Sequence, residues 1–211
     1  MRIFPSIAAA LIGAVALSGA AVAQESPFQV KLGASLIQPD ESATISAIGG
    51  DIDISDEVVP TLQIEYFVTP DVSVELLCCI ARHDVKAVNT SLNTVDLGKV
   101  SHFPPTVTVK YHWNHMGAFK PYLGAGFNYT TFFDADLPAG GAVSDIDYSD
   151  SWGGALQAGF DYQLDPHWSL NFDVRKVWIS TDVTLTAGEG TIAADVDIDP
   201  LIVTVGTGYR F

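Results

Sequence analysis

Thr106-Val107-Thr108-Val109-Lys110-Tyr111-His112-Trp113, then Asn114-His115-Met116-Gly117, then Tyr122-Leu123-Gly124-Ala125-Gly126-Phe127-Asn128-Tyr129 is the stretch on which the fold turns. Val107, Val109, Tyr111 and Trp113 fall on one face, with Thr108, Lys110 and His112 on the other. After a turn with Asn and Gly, Leu123, Ala125, Phe127 and Tyr129 alternate with Tyr122, Gly124, Gly126 and Asn128. A period of two is the signature of a strand with unlike faces. A short polar turn between two such runs makes them antiparallel neighbours.

The same pattern extends outward in both directions. It predicts strands at about 28–36, 59–67, 72–80, 106–113, 122–129, 152–163, 168–175 and 201–211. Helical periodicity is almost absent. Three connections are compact turns: Val68-Thr69-Pro70-Asp71, Asn114-His115-Met116-Gly117 and Asp165-Pro166-His167. The other four, at about 38–58, 82–105, 134–150 and 180–199, read as long loops. Strict alternation of short and long connections puts all tight turns at one end of an up-and-down barrel, as outer-membrane barrels are built. The expected fold class is all-β, an eight-stranded antiparallel up-and-down transmembrane β-barrel.

The first 23 residues are set apart from that barrel. Arg2 precedes an apolar run from Ile7 to Leu17, and Ala21-Val22-Ala23 offers small residues for cleavage. This order predicts a secretory signal peptide over 1–23 and a barrel domain over 24–211. The apolar run is shorter than the roughly 20 residues of a spanning helix. One of the ten Lys and Arg is Arg2, which leaves nine against 25 Asp and Glu. So acidic a chain is a poor partner for nucleic acid. The two cysteines, Cys78 and Cys79, are adjacent and would point to opposite faces of a strand. They are read as strand residues, with no disulfide, no metal and no cofactor.

Alternation alone does not orient the wall, since a soluble ligand-binding barrel would alternate too. Lys31, Glu65, Glu75, Lys110, Asp161, Asp173 and Arg175 share the polar face with several glycines, as in a narrow lumen of paired charges. Aromatics gather near the strand ends: Tyr66, Phe67, Trp113, Phe119, Tyr122, Tyr162, Trp168, Tyr209 and Phe211 at the short-turn end, Phe132, Phe133, Trp152 and Trp178 at the other. Two aromatic girdles around an apolar band suit a bilayer. Tyr209-Arg210-Phe211 resembles the terminal signal by which the barrel-assembly machinery recognises its clients, which makes that machinery an expected partner through Phe211. The expected location is the outer membrane of a Gram-negative bacterium, among its lipid and lipopolysaccharide. Of the 25 acids, 18 fall in the long connections, facing outward.

Lys120-Pro121-Tyr122-Leu123-Gly124-Ala125-Gly126-Phe127-Asn128-Tyr129 resembles the signature of the outer-membrane protein W (OmpW) family. So do Val74-Glu75-Leu76-Leu77, Pro104-Pro105-Thr106, Asp150-Ser151-Trp152-Gly153, Gly159-Phe160-Asp161-Tyr162 and Gly208-Tyr209-Arg210-Phe211, in order along the chain. The resemblance implies a channel for small hydrophobic molecules with a narrow, partly hydrophobic interior and a side exit into the bilayer. It also implies that Leu77 narrows the floor. Arg175 stands where some relatives carry a bulky aromatic, so an ion-paired constriction with Glu75, Asp173 and Lys110 is expected below an apolar pocket. Proline cannot donate to a strand ladder, which makes Pro104 and Pro105 the candidate lateral opening. They would otherwise simply end a loop. The alternative function is a structural, receptor or adhesin barrel whose acidic external loops bind a partner. No motif ties His83, His102, His112, His115 or His167 to a nucleophile, so no enzyme is expected.

Overall fold

The computed structural model describes residues 26–211 apart from positions 47, 142 and 189. The expected signal peptide lies outside the described residues. The strands are β1 (Phe28–Gln38), β2 (Ser42–Ile45), β3 (Asp51–Ile54), β4 (Glu57–Phe67), β5 (Val72–Cys78), β6 (Ala81–Thr90), β7 (Asn93–Phe103), β8 (Thr106–His112), β9 (Phe119–Asp136), β10 (Asp145–Tyr148), β11 (Ser151–Gln163), β12 (Trp168–Val177), β13 (Ser180–Ala187), β14 (Gly190–Asp197) and β15 (Leu201–Arg210).

Eight of them form the closed wall. The ring runs β1-β4-β5-β8-β9-β11-β12-β15 and returns to β1, each neighbour antiparallel. Closure is complete along β1, from Gln29 opposite Arg210 to Gln38 opposite Leu201. A ring leaves no strand edge to satisfy, the condition for crossing hydrocarbon. The outward side chains Leu32, Ile64, Val109, Leu123, Phe127 and Leu170 are exposed, while Lys31, Glu65, Lys110 and Arg175 between them are buried. The apolar face therefore meets lipid and the charged face fills the lumen. Tyr129 and Trp152 pack at 4.7 Å at the upper rim, and Trp168 and Tyr209 at 5.0 Å at the lower.

Three aromatics expected in the girdles turn inward instead. Tyr122 is 1% exposed and fills the lumen. Phe67 lies under the Arg210 guanidinium at 4.1 Å. Phe132 packs against Tyr148 and His102 above the membrane. Their parity along the strand, and not their aromatic character, decides their face.

A larger correction concerns the four connections expected as loops. They are mostly strand. β6 and β7 form a hairpin that carries the wall upward beside the top of β9, with His102 opposite Phe132, and β3 adds to its edge. β10, β13, β14 and β2 make a second, four-stranded sheet. The two sheets bury Ile52, Val85, Val100, Val183, Val196 and Ile198 between them. These segments do alternate, as in Ala194-Asp195-Val196-Asp197-Ile198, but with acids on the solvent face. A sheet with one wet face needs no more than that.

Candidate functional site

The lumen divides into layers along the barrel axis. The lower layer is a network of charges. Lys31 Nζ lies 2.8 Å from Glu65 and 3.0 Å from Asp161. Lys110 Nζ lies 2.8 Å from Glu75 and 3.1 Å from Glu65, and 3.7 Å above the centre of the Tyr122 ring. Arg175 Nη2 lies 2.8 Å from Glu75 and 3.7 Å from Asp173. Gln157 Nε2 donates to Glu75 at 2.9 Å and to Asp173 at 2.6 Å, while Tyr122 Oη donates to Asp173 at 3.0 Å. His112 Nε2 lies 2.9 Å from Glu65. Buried charges persist only when paired in this way. Glycines on neighbouring strands make the room: a Cβ on Gly208 would sit 2.7 Å from Ser169 Oγ and 3.2 Å from the Lys31 stem.

Four of the residues singled out from sequence, Glu75, Lys110, Asp173 and Arg175, are therefore brought into one cluster. Leu77 is 1% exposed and stands opposite Gln63, two residues further up β5 than Glu75. Sequence parity had already put Lys31, Glu65 and Asp161 on this face, yet left them out of the site. Tyr122 and Gln157 were missed as site residues, because neither side chain carries a formal charge to draw attention. Below the network the lower mouth opens as a funnel of about 730 Å³ lined by Tyr66, Phe67, Asn114, Lys120 and Arg210.

Above the network the lining becomes apolar. Ile37, Val59, Cys79, Ala155, Val177 and Ile202 are buried there and run without a break into the core of the upper extension. That core holds a small apolar cavity of about 20 Å³ between the two sheets.

At the same height the wall loses its ladder. Between β4 and β5 the pairs end at Leu62 opposite Cys78. Continuing that register would set Pro60 against Ile80, and Pro60 has no N–H to give. On the other side the β5–β8 ladder ends at Leu77 opposite Thr106, and β6–β7 resumes in the same register at Ala81 opposite His102. The skipped positions face Pro104 and Pro105. Residues 79–80 are thus unpaired by a ladder on both flanks, and Cys78 on the β8 flank. Pro104 and Pro105 do not end a loop; they interrupt one long strand made of β7 and β8. They are held on the far side, where Asn128 Nδ2 donates to both carbonyls at 3.1 and 3.3 Å and the Tyr129 amide donates to Pro105 O at 3.1 Å. Neither Pro60 nor Asn128 was legible as a site residue, since each sits inside an ordinary alternating strand.

The model of the OmpW family matches residues 24–211. An uncharacterized outer-membrane protein, y4mB, of Sinorhizobium fredii is 38% identical over 188 residues, covering 88% of this chain and 80% of the relative. The dibenzothiophene metabolism operon protein PahQ of Pseudomonas aeruginosa is 28% identical over 197 residues, 90% of each chain. Among solved structures, the outer membrane protein OprG of Pseudomonas aeruginosa superposes with a TM-score of 0.81 at 30% identity, covering 89% of this chain and 97% of that one.

Proposed function

This chain belongs to the OmpW family and lies in the outer membrane of a Gram-negative bacterium, and on that footing we propose that it takes up small hydrophobic molecules and releases them sideways into the bilayer. The carrying observation is a coincidence of height. The apolar lining starts where the charged network stops, and the ladder breaks at residues 79–80 at that same level. An apolar solute descending the lining meets Leu77 and, below it, Arg175 and Lys110 in contact with Glu75. Crossing that floor would strip the ion pairs of their partners. Leaving through the wall costs no such contact, because an opening there breaks no backbone ladder pairs. Leu77, Glu75, Asp173, Arg175 and Lys110 thus act as the constriction, and Pro104 and Pro105, together with Pro60, frame the exit.

The relative PahQ takes its name from a dibenzothiophene metabolism operon, and dibenzothiophene is an apolar aromatic solute of the kind proposed. Phe211 caps β15, its carbonyl accepting from the Ser26 amide at 2.8 Å, with its ring exposed to the membrane side. That leaves it free for the assembly machinery to grip.

The test is uptake of radiolabelled naphthalene by a deletion strain carrying the wild-type chain or variants. Pro104→Ala/Pro105→Ala/Pro60→Ala restores three backbone donors and should slow uptake several-fold with the barrel still folded. Unchanged uptake by the deletion strain itself would sink the transport reading. A barrel that serves instead as a receptor would show its effect in the acidic outer sheets, so exchanging those strands would abolish partner binding and leave uptake untouched.

A further inference from the structure

Above the membrane, two imidazoles stand in an otherwise hydrophobic lining. His83 on β6 and His102 on β7 stack with ring centroids 5.0 Å apart and planes 10° apart, and both are buried. They border the apolar cavity, whose wall also includes Val85, Val100, Phe132, Tyr148 and Ile198. His83 Nδ1 lies 2.6 Å from the Ser55 carbonyl oxygen. A carbonyl can only accept, so Nδ1 carries the ring proton. In a neutral imidazole Nε2 is then a bare acceptor, and His83 Nε2 is buried with no hydrogen-bond partner among the described residues.

Among the described residues the imidazole–carboxylate pair belongs to His112, far below in the lumen. An imidazolium beside the cavity would be a buried charge without compensation. Burial, followed by the neighbouring His83, pushes the His102 imidazole down to about 3, which keeps the His102 ring uncharged. A buried acceptor without a partner is an uncommon feature that calls for an explanation. The ring that carries it lines the apolar cavity, on the way the proposed solutes would take.

We infer that His83 Nε2 receives a hydrogen-bond donor carried by the solute, so that the extension selects hydroxylated apolar molecules, phenols and neutral alcohols, over plain hydrocarbons. This rests on the uptake reading above and names the solute class for it. The cavity of about 20 Å³ holds only a water-sized group as it stands. A phenol enters by displacing the half-buried Phe132 and Tyr148 rings, which stack at 5.3 Å across the cavity. Its ring then replaces theirs against the apolar wall while its hydroxyl reaches His83.

The test measures binding of three probes to the purified chain in lipid nanodiscs: naphthalene, 2-naphthol and 2-methoxynaphthalene. The naphthol donates a hydrogen bond; the ether cannot. Wild type should hold 2-naphthol roughly fivefold more tightly than the ether, the discrimination expected of one neutral hydrogen bond. His83→Phe should erase that ratio and keep naphthalene affinity. His83→Gln, which retains an acceptor, should restore part of the ratio, and the heat-shifted gel mobility of both variants reports that the barrel is folded. Equal affinities of wild type for naphthol and ether would overturn the inference while leaving hydrophobic uptake standing. A preference for the ether would also overturn it, since it would mean that Nε2 is a donor. Failure of wild type to bind any of the three would bring down the uptake reading along with it.

Discussion

Lys110 is fully buried between Glu65 and Glu75 and over the Tyr122 ring. Replacing it with Met leaves Glu65 and Glu75 to share Lys31, at 2.8 and 3.7 Å, with Arg175 on Glu75 alone, so a buried network loses one of its cations. Removing one partner of a buried ion pair typically costs about 3–5 kcal/mol, and urea unfolding of Lys110→Met in micelles should lose stability in that range. Gln63 is the opposite case. Both polar atoms of its amide are buried without a partner among the described residues, so Gln63→Leu should be neutral or stabilising in the same assay. His102 gives the pH dependence. Burial holds its folded value near 3, below the ordinary 6.5. The unfolded ring therefore takes up a proton first as pH falls. Stability of the outer extension should be complete above about pH 6.5 and decline progressively toward pH 3. Hydrogen exchange of the β6–β7 amides at pH 7 and pH 5 reads this directly, and His102→Phe should flatten most of the slope. At this scale the sequence was informative about charges and misleading about rings. A lysine on an inward parity has one reading. An aromatic such as Tyr122 or Phe132 suits both an interface and a packed interior, and only strand register tells them apart.

The elements carry a different kind of information. Eight wall strands were visible because each has a lipid face of apolar side chains and a lumen face of polar ones. The outer strands were read as loops because their solvent face is acidic and their apolar residues are few, although Val183, Leu185, Val196 and Ile198 keep a strict period of two. The wall break was half legible. Pro104 and Pro105 announce themselves as a pair, whereas Pro60 matters only because three strands place it beside the same unpaired segment. Close approach of strands is likewise a property of the assembled sheet. A Cβ on Gly126 would stand 1.9 Å from Val107 O and 2.7 Å from Thr108 Cα, both on the paired strand β8. Gly126→Ala should therefore force β8 and β9 apart and lower the folded fraction seen by heat-shifted mobility. Substitution at Gly140, where no atom lies within 4 Å and φ is +76°, should cost only local turn strain.

For the whole molecule the dominant asymmetry is electrical. Inside the membrane span, acids and bases are nearly matched, with Lys31, Lys110 and Arg175 set among Glu65, Glu75, Asp161 and Asp173. Outside it, the sheets of the extension carry Asp51, Asp53, Asp145, Asp147, Asp195 and Asp197 with few cations near them, such as Lys99 against Asp84. The entrance is therefore wrapped in negative potential while its interior is apolar. Such a field repels anions at long range and leaves neutral solutes alone. A carboxylate such as 2-naphthoate should enter far more slowly than 2-naphthol at low salt, although their apolar bodies are the same. Screening shortens the reach of the field from about 30 Å at 0.01 M to about 8 Å at 0.15 M ionic strength. The ratio of the two uptake rates should therefore shrink several-fold across that range. If discrimination against the anion came from desolvation inside the apolar lining, the ratio would not respond to salt, because a buried lining is not screened. Measuring both rates at the two ionic strengths separates a filter at the rim from a filter in the lumen. Neutralising Asp195 and Asp197 with Asn should reproduce the high-salt ratio at low salt if the rim is the filter.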